Sequence, residues 1–274
     1  AQRENEHRLL SAFQYALSEG RITFHLQPQC NIMTGKIVGA EALTRWHTRD
    51  GGLVSPSQFI PVLEKSGFIV TLDKYIWTQV YRWIKQQLDC ERTVVPVSIN
   101  ISRVDILSFD VCAFLDQLAR KFGVPASLAK AEITETAYSQ ENHAVGELAR
   151  RLEDKGYAVY MDDFGSGQSS LNMLKSMKVD VVKLDRCFIP KQDDDEKAPT
   201  VIKSVIDMSA RLGIPVIVEG VETEAQASLL TRLGARYTQG FGFYRPMPVS
   251  DFEGLVALPD LVDADGIRRE VEQN

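Results

Sequence analysis

Two adjacent aspartates, Asp162 and Asp163, end an apolar run in the segment AVYMDDFGSG at residues 158–167. Neighbouring carboxylates repel one another, so holding both at a strand end is worthwhile when a cation offsets them. Other polar side chains sit in similar places, near the ends of apolar runs: Glu41 in GAEALTRW, Asn100 in VSINIS, Glu132 in AKAEITET, Lys183 in VVKLD, Glu219 in IPVIVEGVE and Gln239 in RYTQG. The potential ligands are nearly all oxygen, which favours Mg²⁺ or Mn²⁺ over zinc. Glu41, Asn100, Glu132, Asp162 and Asp163 exceed what one Mg²⁺ takes from protein. They point to two ions clamping the nucleophile and leaving oxygen of a phosphoryl displacement. Lys183 is read as the charge that orients an attacking water or stabilises the transition state. Glu219 is read as a metal ligand or as general base on that water. Arg45, placed on the first turn after Glu41, suits bidentate contact with a phosphate.

Each residue also has a plainer structural role open to it: an aspartate pair capping a helix, a lysine in a buried ion pair, an arginine in a surface pair. The argument for chemistry rests on their order. Consecutive strands each deliver one such side chain, which demands a fold that gathers strand ends.

Periodicity supplies that fold. Residues 22–29 and 36–46 read as two strands joined by a turn at 31–35, and further strands fall at 93–102, 129–136, 157–165, 179–186, 214–222 and 236–246. Helical spacing of apolar residues fills the intervals, with Gly123 and Pro125 stopping one helix and Pro199 starting another. The runs VVPVSI, YAVYM and IPVIV are apolar enough for strands buried on both faces. The prediction is an α/β fold, a modified TIM (β/α)8 barrel with one antiparallel strand near the start, whose strand ends converge on one face. A doubly wound sheet is the alternative; no glycine-rich turn follows its first strand, and GSGQSS after Asp163 is a poor dinucleotide fingerprint. Residues 1–20 read as a connector helix, 21–255 as the barrel and 256–274 as a peripheral tail. The polar run KQDDDEKAP at 191–199 reads as a solvated loop inside a βα connection.

Composition excludes several classes. With 44% hydrophobic and 25% charged residues the chain is ordinary globular material. The formal net charge of −6 and the lack of a long basic run argue against a nucleic-acid groove. Cys30, Cys90, Cys112 and Cys187 form no C-x-x-C pair, as expected of reduced thiols in the cytoplasm. The polar start AQRENEHRLL is no signal peptide.

The blocks GAEALTRW, VSINIS, AEITETAYS, MDDFGSGQSSLNMLKSMKVDVVKLD, VIVEGVETEAQ and QGFGFYRPMP resemble those of EAL domains, in the family's order. EAL domains are bacterial phosphodiesterases that hydrolyse cyclic di-GMP to linear pGpG. The resemblance implies metal ligation by Glu41, Asn100, Glu132, Asp162, Asp163 and Glu219, and catalysis by Glu219 and by Lys183, which holds the hydrolytic water. It implies substrate contacts at Gln27, Leu43, Arg45 and Gln239. Glu135 would steady the loop after DDFG, and Glu222 matches the second glutamate of EGVE. Implied too are two Mg²⁺ or Mn²⁺ ions, a homodimer, and fusion to an upstream sensory or GGDEF-type domain in a protein that can be membrane-attached. Gln168 departs from the family's usual aromatic, and Ala131 from a common leucine. The competing reading within the family is a non-catalytic cyclic di-GMP receptor; outside it, an unrelated metal-dependent barrel enzyme.

Overall fold

The structure, a computed structural model, describes residues 2–165, 174–175, 177–190, 197–263 and 266–267. Gln168, in the loop after Asp163, lies outside them, as do most of the short helix read over SLNMLKSM and the first part, 191–196, of the polar run. Eight strands form the barrel: β1 (Ile22–Asn31), β2 (Ile37–His47), β3 (Val97–Ile101), β4 (Ala129–Thr134), β5 (Ala158–Phe164), β6 (Val181–Leu184), β7 (Val216–Glu219) and β8 (Tyr237–Gln239). β2 through β8 are parallel in sequence order. β1 closes the barrel by pairing antiparallel with both β2 and β8. The modified (β/α)8 barrel with an antiparallel strand near its start is therefore the fold. The turn that reverses β1 is chemically specified: Asn31 Oδ1 accepts the N–H groups of Met33 and Thr34, and Gly35 takes φ 69°.

Strand alternation divides the side chains into two populations. Val97, Ile99 and Ile101 of β3, Val159 and Met161 of β5, Val182 and Leu184 of β6, and Val216 and Val218 of β7 belong to the large core that includes the surrounding helices. The intervening residues face the barrel interior. Its lower part is a small apolar cluster of Val38, Tyr160, Val181, Ile217 and Tyr237, against which Ile267 packs. Val262 bridges to Ile37 nearby.

The helices carry the predicted signals. Residues Pro56–Ser66 begin with proline and end at Gly67, with φ 77°. Asp110 caps Val111–Phe122, which stops at Gly123 with φ 64°. Proline lies in the first turn of Ala198–Arg211. The longest, Ile69–Asp89, buries Leu72, Ile76, Trp77, Val80, Tyr81 and Ile84, the four aliphatic ones contributing roughly 1.5–3 kcal/mol each. The first helix, Gln2–Ser18, is fastened by Phe13, whose ring meets Trp46 and Phe68 edge-on at 5.9 and 6.2 Å. No helix among the described residues is long and apolar enough to cross a membrane.

Most strands are shorter than the sequence reading, as at Val97–Ile101, Val181–Leu184 and Val216–Glu219, and three differences have identifiable causes. The strand expected over 129–136 ends at Thr134, whose Oγ1 accepts the Ala137 N–H and starts the helix Glu135–Gln140. The helix Arg103–Ser108, which begins in a Ser102–Asp105 capping box, was not anticipated. The last strand ends at Gln239 rather than continuing to 246. Gly240 lies so close to Val221 that a Cβ would sit 2.2 Å from the Val221 carbonyl oxygen, and Phe243 and Tyr244 donate back to the Gly240 carbonyl in a turn.

Candidate active site

Above the apolar interior cluster the same inward positions become polar. One step of two residues leads from Tyr160 to Asp162, from Val181 to Lys183, from Ile217 to Glu219 and from Tyr237 to Gln239. Strand geometry thus stacks a charged layer on an apolar floor. Lys183, only 1% exposed, occupies the middle of that layer. Its Nζ lies 3.0 Å from Glu41, 2.9 Å from Glu132, 3.1 Å from Asp162 and 2.9 Å from Glu219.

The field of this cluster shapes every proton equilibrium in it. Burial alone would lower Lys183, but Asp162, Glu132, Glu219 and Glu41 hold its ammonium well above the usual lysine range. Burial pushes Glu41 upward, and the Lys183 charge with hydrogen bonds from Asn100 and Gln239 outweighs it, leaving the carboxyl below its usual range. Glu132 is raised well above a normal carboxylate by burial and then by the Glu41 charge. Glu219 is pushed up to about 8, chiefly by burial, with Asp162 and Glu41 adding to it against the opposing Lys183.

The adjacent aspartates act together because the strand breaks its rule between them. Asp163 has φ 54°, a left-handed conformation uncommon for a residue other than glycine. The β5–β6 register shifts between Met161 and Phe164. Regular alternation would send the second carboxylate to the opposite face; this irregularity returns it. Oxygens of Asp162, Asp163 and Glu219 consequently lie within 4.8 Å of one another. Burial and the Asp162 charge raise Asp163 to about 6. Behind this bend, Glu135 accepts the Gly165 N–H at 2.8 Å.

An amide chain fixes the other side. Asn100 Nδ2 donates to Glu41 Oε1 at 2.9 Å, so the amide oxygen is the Asn100 atom that could meet a cation. Gln239 Nε2 donates to Glu41 Oε2 at 2.6 Å and to Gln27 Oε1 at 3.2 Å, while its Oε1 accepts from Gln29 at 3.1 Å. Gln29, 1% exposed, was missed in the sequence reading. Its signal was present, since Gln27 and Gln29 are two apart on one strand and share a face.

The remaining named residues line two cavities beside the cluster. Leu43 and Arg45 face one of about 340 Å³ whose wall includes Glu41 and Asn100. Arg45 is not on a turn: β2 runs to His47, and Arg45 pairs with Thr23 while donating to the Thr44 carbonyl at 2.8 Å. Long pairing with antiparallel β1 extends the strand past Glu41. Glu222 lines a second cavity, of about 250 Å³, together with Gln27, Glu219 and Gln239.

The donor set suits divalent cations. Five carboxylates (Glu41, Glu132, Asp162, Asp163 and Glu219) and one amide oxygen converge where Lys183 supplies the nearby positive charge. Glu132 Oε1 is buried without a hydrogen-bond partner among the described residues. A buried carboxylate oxygen left in that state is costly unless a cation or proton meets it. Among the described residues, Asp162 Oδ1 has the ion-pair contact with Lys183 and no hydrogen-bond partner.

Similarity to known proteins places this geometry in a family. The EAL domain model matches residues 10–246. The bifunctional diguanylate cyclase/cyclic di-GMP phosphodiesterase MucR of Pseudomonas aeruginosa is 30% identical over 257 residues, covering 94% of this chain and 38% of MucR. The probable cyclic di-GMP phosphodiesterase PdeG of Escherichia coli is 31% identical over 249 residues, covering 88% of this chain and 48% of PdeG. This chain thus spans less than half the length of either relative. The solved structure of the MucR phosphodiesterase in complex with c-di-GMP superposes with a TM-score of 0.84 at 30% identity, covering 89% of this chain and 99% of that one. The chain belongs to the EAL domain family.

Proposed function

We propose that this barrel is a divalent-metal-dependent phosphodiesterase that hydrolyses cyclic di-GMP to linear pGpG. The observation that carries the reading is the placement of Asp162, Asp163 and Glu219, with oxygens within 4.8 Å of one another, beside a lysine contacted by four carboxylates. The cluster lies between two cavities, one sharing Glu41 and Asn100 with it and the other Glu219. A cyclic dinucleotide has the matching form: a phosphodiester ring with a purine on either side. The names of MucR and PdeG and the c-di-GMP bound to the MucR phosphodiesterase support the same substrate.

Glu41, Asn100, Glu132, Asp162, Asp163 and Glu219 would hold the ions, two in number, with Mg²⁺ or Mn²⁺ suited to the oxygen donors. When bound, such ions neutralise phosphoryl charge and acidify water. The chain's own groups do the rest. Glu219 in its ionised form takes a proton from the attacking water; burial raises its carboxyl to about 8, which makes the carboxylate a stronger base once a cation has displaced its proton. The water oxygen forms the new bond to phosphorus, the P–O3′ bond breaks, the released 3′ oxygen takes a proton from solvent water, and Glu219 returns its own proton to solvent. Lys183 offsets the charge that builds on the phosphoryl oxygens from a fixed, desolvated position. Arg45 and Leu43 border the substrate on one side, Gln27 and Gln239 on the other. In the whole protein, the proposal includes a homodimer and fusion to an upstream sensory or GGDEF-type domain.

The test is incubation of the purified protein with cyclic di-GMP and Mg²⁺ or Mn²⁺, with EDTA and Glu219→Ala controls, followed by chromatography of the nucleotides. Metal-dependent pGpG from the wild type alone is the expected result. Intact cyclic di-GMP beside measurable binding would replace hydrolysis with a receptor role.

A further inference from the structure

We infer that Phe241, backed by Arg245, is the surface on which one guanine of the cyclic dinucleotide stacks, making it a further substrate-positioning residue. The inference rests on the functional reading above. Phe241 is 49% exposed, an unusual state for a phenylalanine beside a polar site. It forms part of the wall of the 250 Å³ cavity that also holds Glu219 and Gln239. The Arg245 guanidinium carbon stands 4.6 Å from its ring centroid. One face of the ring is thus covered by a cation, and the other is left for a second planar group.

The ring is held in place by backbone. Gly242 donates to the Val221 carbonyl at 2.8 Å, and Phe243 and Tyr244 donate to Gly240. A Cβ at Gly242 would meet the Glu222 backbone at 2.9 Å, so the turn is pressed flat against the segment after β7. That rigidity presents Phe241 at a fixed height above the cavity, with its ordering already complete before a ligand arrives.

The neighbours favour guanine. Arg186 and Glu222 line the same cavity. An arginine pairs with the O6 and N7 acceptors of guanine, and a carboxylate accepts from its N1–H and exocyclic amine. Adenine would set its N1 acceptor against that carboxylate. A phosphodiester at Glu219 brings its attached nucleoside to this cavity, because Glu219 belongs to both places.

The test compares wild type with Phe241→Ala, Phe241→Leu and Phe241→Trp in initial-rate kinetics on cyclic di-GMP with Mg²⁺. Base–aromatic stacking predicts a KM increase on the order of 5- to 100-fold in the alanine and leucine variants, with kcat changed less than about threefold. Tryptophan should stay near wild type. Leucine keeps apolar bulk without a π face, so its agreement with alanine separates stacking from general packing. Because the residue is half exposed, far-UV spectra should be unchanged. Wild-type turnover with an unaltered KM in Phe241→Ala overturns the stacking assignment alone. A wild type that neither binds nor hydrolyses cyclic di-GMP overturns the functional reading and the inference with it.

Discussion

The buried carboxylate of Glu135 accepts the Gly165 N–H at 2.8 Å, tying the helix after β4 to the residue two places beyond Asp163. Gly165 has φ 92°, and the Phe188 ring passes where a Cβ would stand, 2.1 Å from it, so only glycine fits. The bond therefore steadies the backbone that turns Asp163 inward. Outer partners of metal ligands typically matter by about 10–100-fold in affinity or activity. Glu135→Ala should lower hydrolysis by about that factor and raise the metal concentration needed for half-maximal rate. Glu135→Gln, which keeps an acceptor oxygen, should recover part of the loss. A metal titration of each variant decides it; an unchanged rate and midpoint in the alanine variant would leave Glu135 a merely structural residue.

A second carboxyl pair lies behind the 340 Å³ cavity and gives a stability prediction independent of catalysis. Asp73, 9% exposed, is raised well above the ordinary range by burial, then by the Asp105 charge and a hydrogen bond with it. Asp105 Oδ1 is buried without a hydrogen-bond partner among the described residues, so a proton held on the neighbouring Asp73 eases the pair. Because the folded pKa exceeds the unfolded one, the protonated form is favoured by folding. The associated stability is present below the unfolded value of about 3.9 and is lost as pH rises through the folded value. Asp73→Asn keeps a donor and removes the titration. It should match wild type near about pH 4 and exceed it by roughly 1 kcal/mol or more at about pH 7. Urea unfolding at both pH values measures this, and parallel pH profiles would refute the shared-proton arrangement.

Much of the barrel was legible because its signals are local. Apolar runs, Gly123, Pro199 and the Asn31–Gly35 turn each act within a few residues, and the charged positions appeared once strand ends were aligned. What escaped depends on long-range contact. The left-handed φ of Asp163 and the β5–β6 register shift arise from pairing with a strand about twenty residues later, and nothing in MDDF announces them. The early end of β8 reflects Gly240 meeting Val221, a contact that exists only after the barrel closes. Reading RYTQGFGFYRP as one strand therefore missed the turn that exposes Phe241. Gln29 is a different case. Its pairing with Gln27 across Pro28 was visible, but a glutamine has no distinctive chemistry until Gln239 arrives beside it.

Metal affinity should depend on pH in a definite direction. Asp163, near 6, and Glu219, near 8, are both raised mainly by burial, with the Asp162 charge contributing to each. A carboxyl must lose its proton to ligate a cation, so protons compete with metal below these values. Apparent affinity for Mn²⁺ should rise by roughly tenfold or more from about pH 5.5 to about pH 8.5, with proton release on binding. Calorimetric titration in buffers of different ionisation enthalpy reads both quantities. An affinity flat across that range would mean that these two carboxyls do not hold the ion.

Lys183 connects the proposed metal site to the stability of the fold. Its ammonium is buried among Glu41, Glu132, Asp162 and Glu219, and without metal it supplies the cluster's central positive charge. Lys183→Met keeps the aliphatic stem and removes the charge. Leaving buried carboxylates uncompensated typically destabilises by about 3–5 kcal/mol. Part of that loss returns as the carboxyls take up protons, so the deficit should be greatest at alkaline pH. Mn²⁺ binds the folded cluster in preference to the unfolded chain, and its stabilisation grows with the logarithm of its concentration. The variant should therefore show a larger rise in Tm with Mn²⁺ than wild type, because the ion replaces charge that the wild type already has. Hydrolysis should stay at least about a hundredfold below wild type even in saturating Mn²⁺, since the fixed cation beside the phosphoryl group is gone. Recovery of both Tm and turnover by metal would reduce Lys183 to a structural counter-ion. Recovery of Tm alone separates its two roles, one in the fold and one in the reaction.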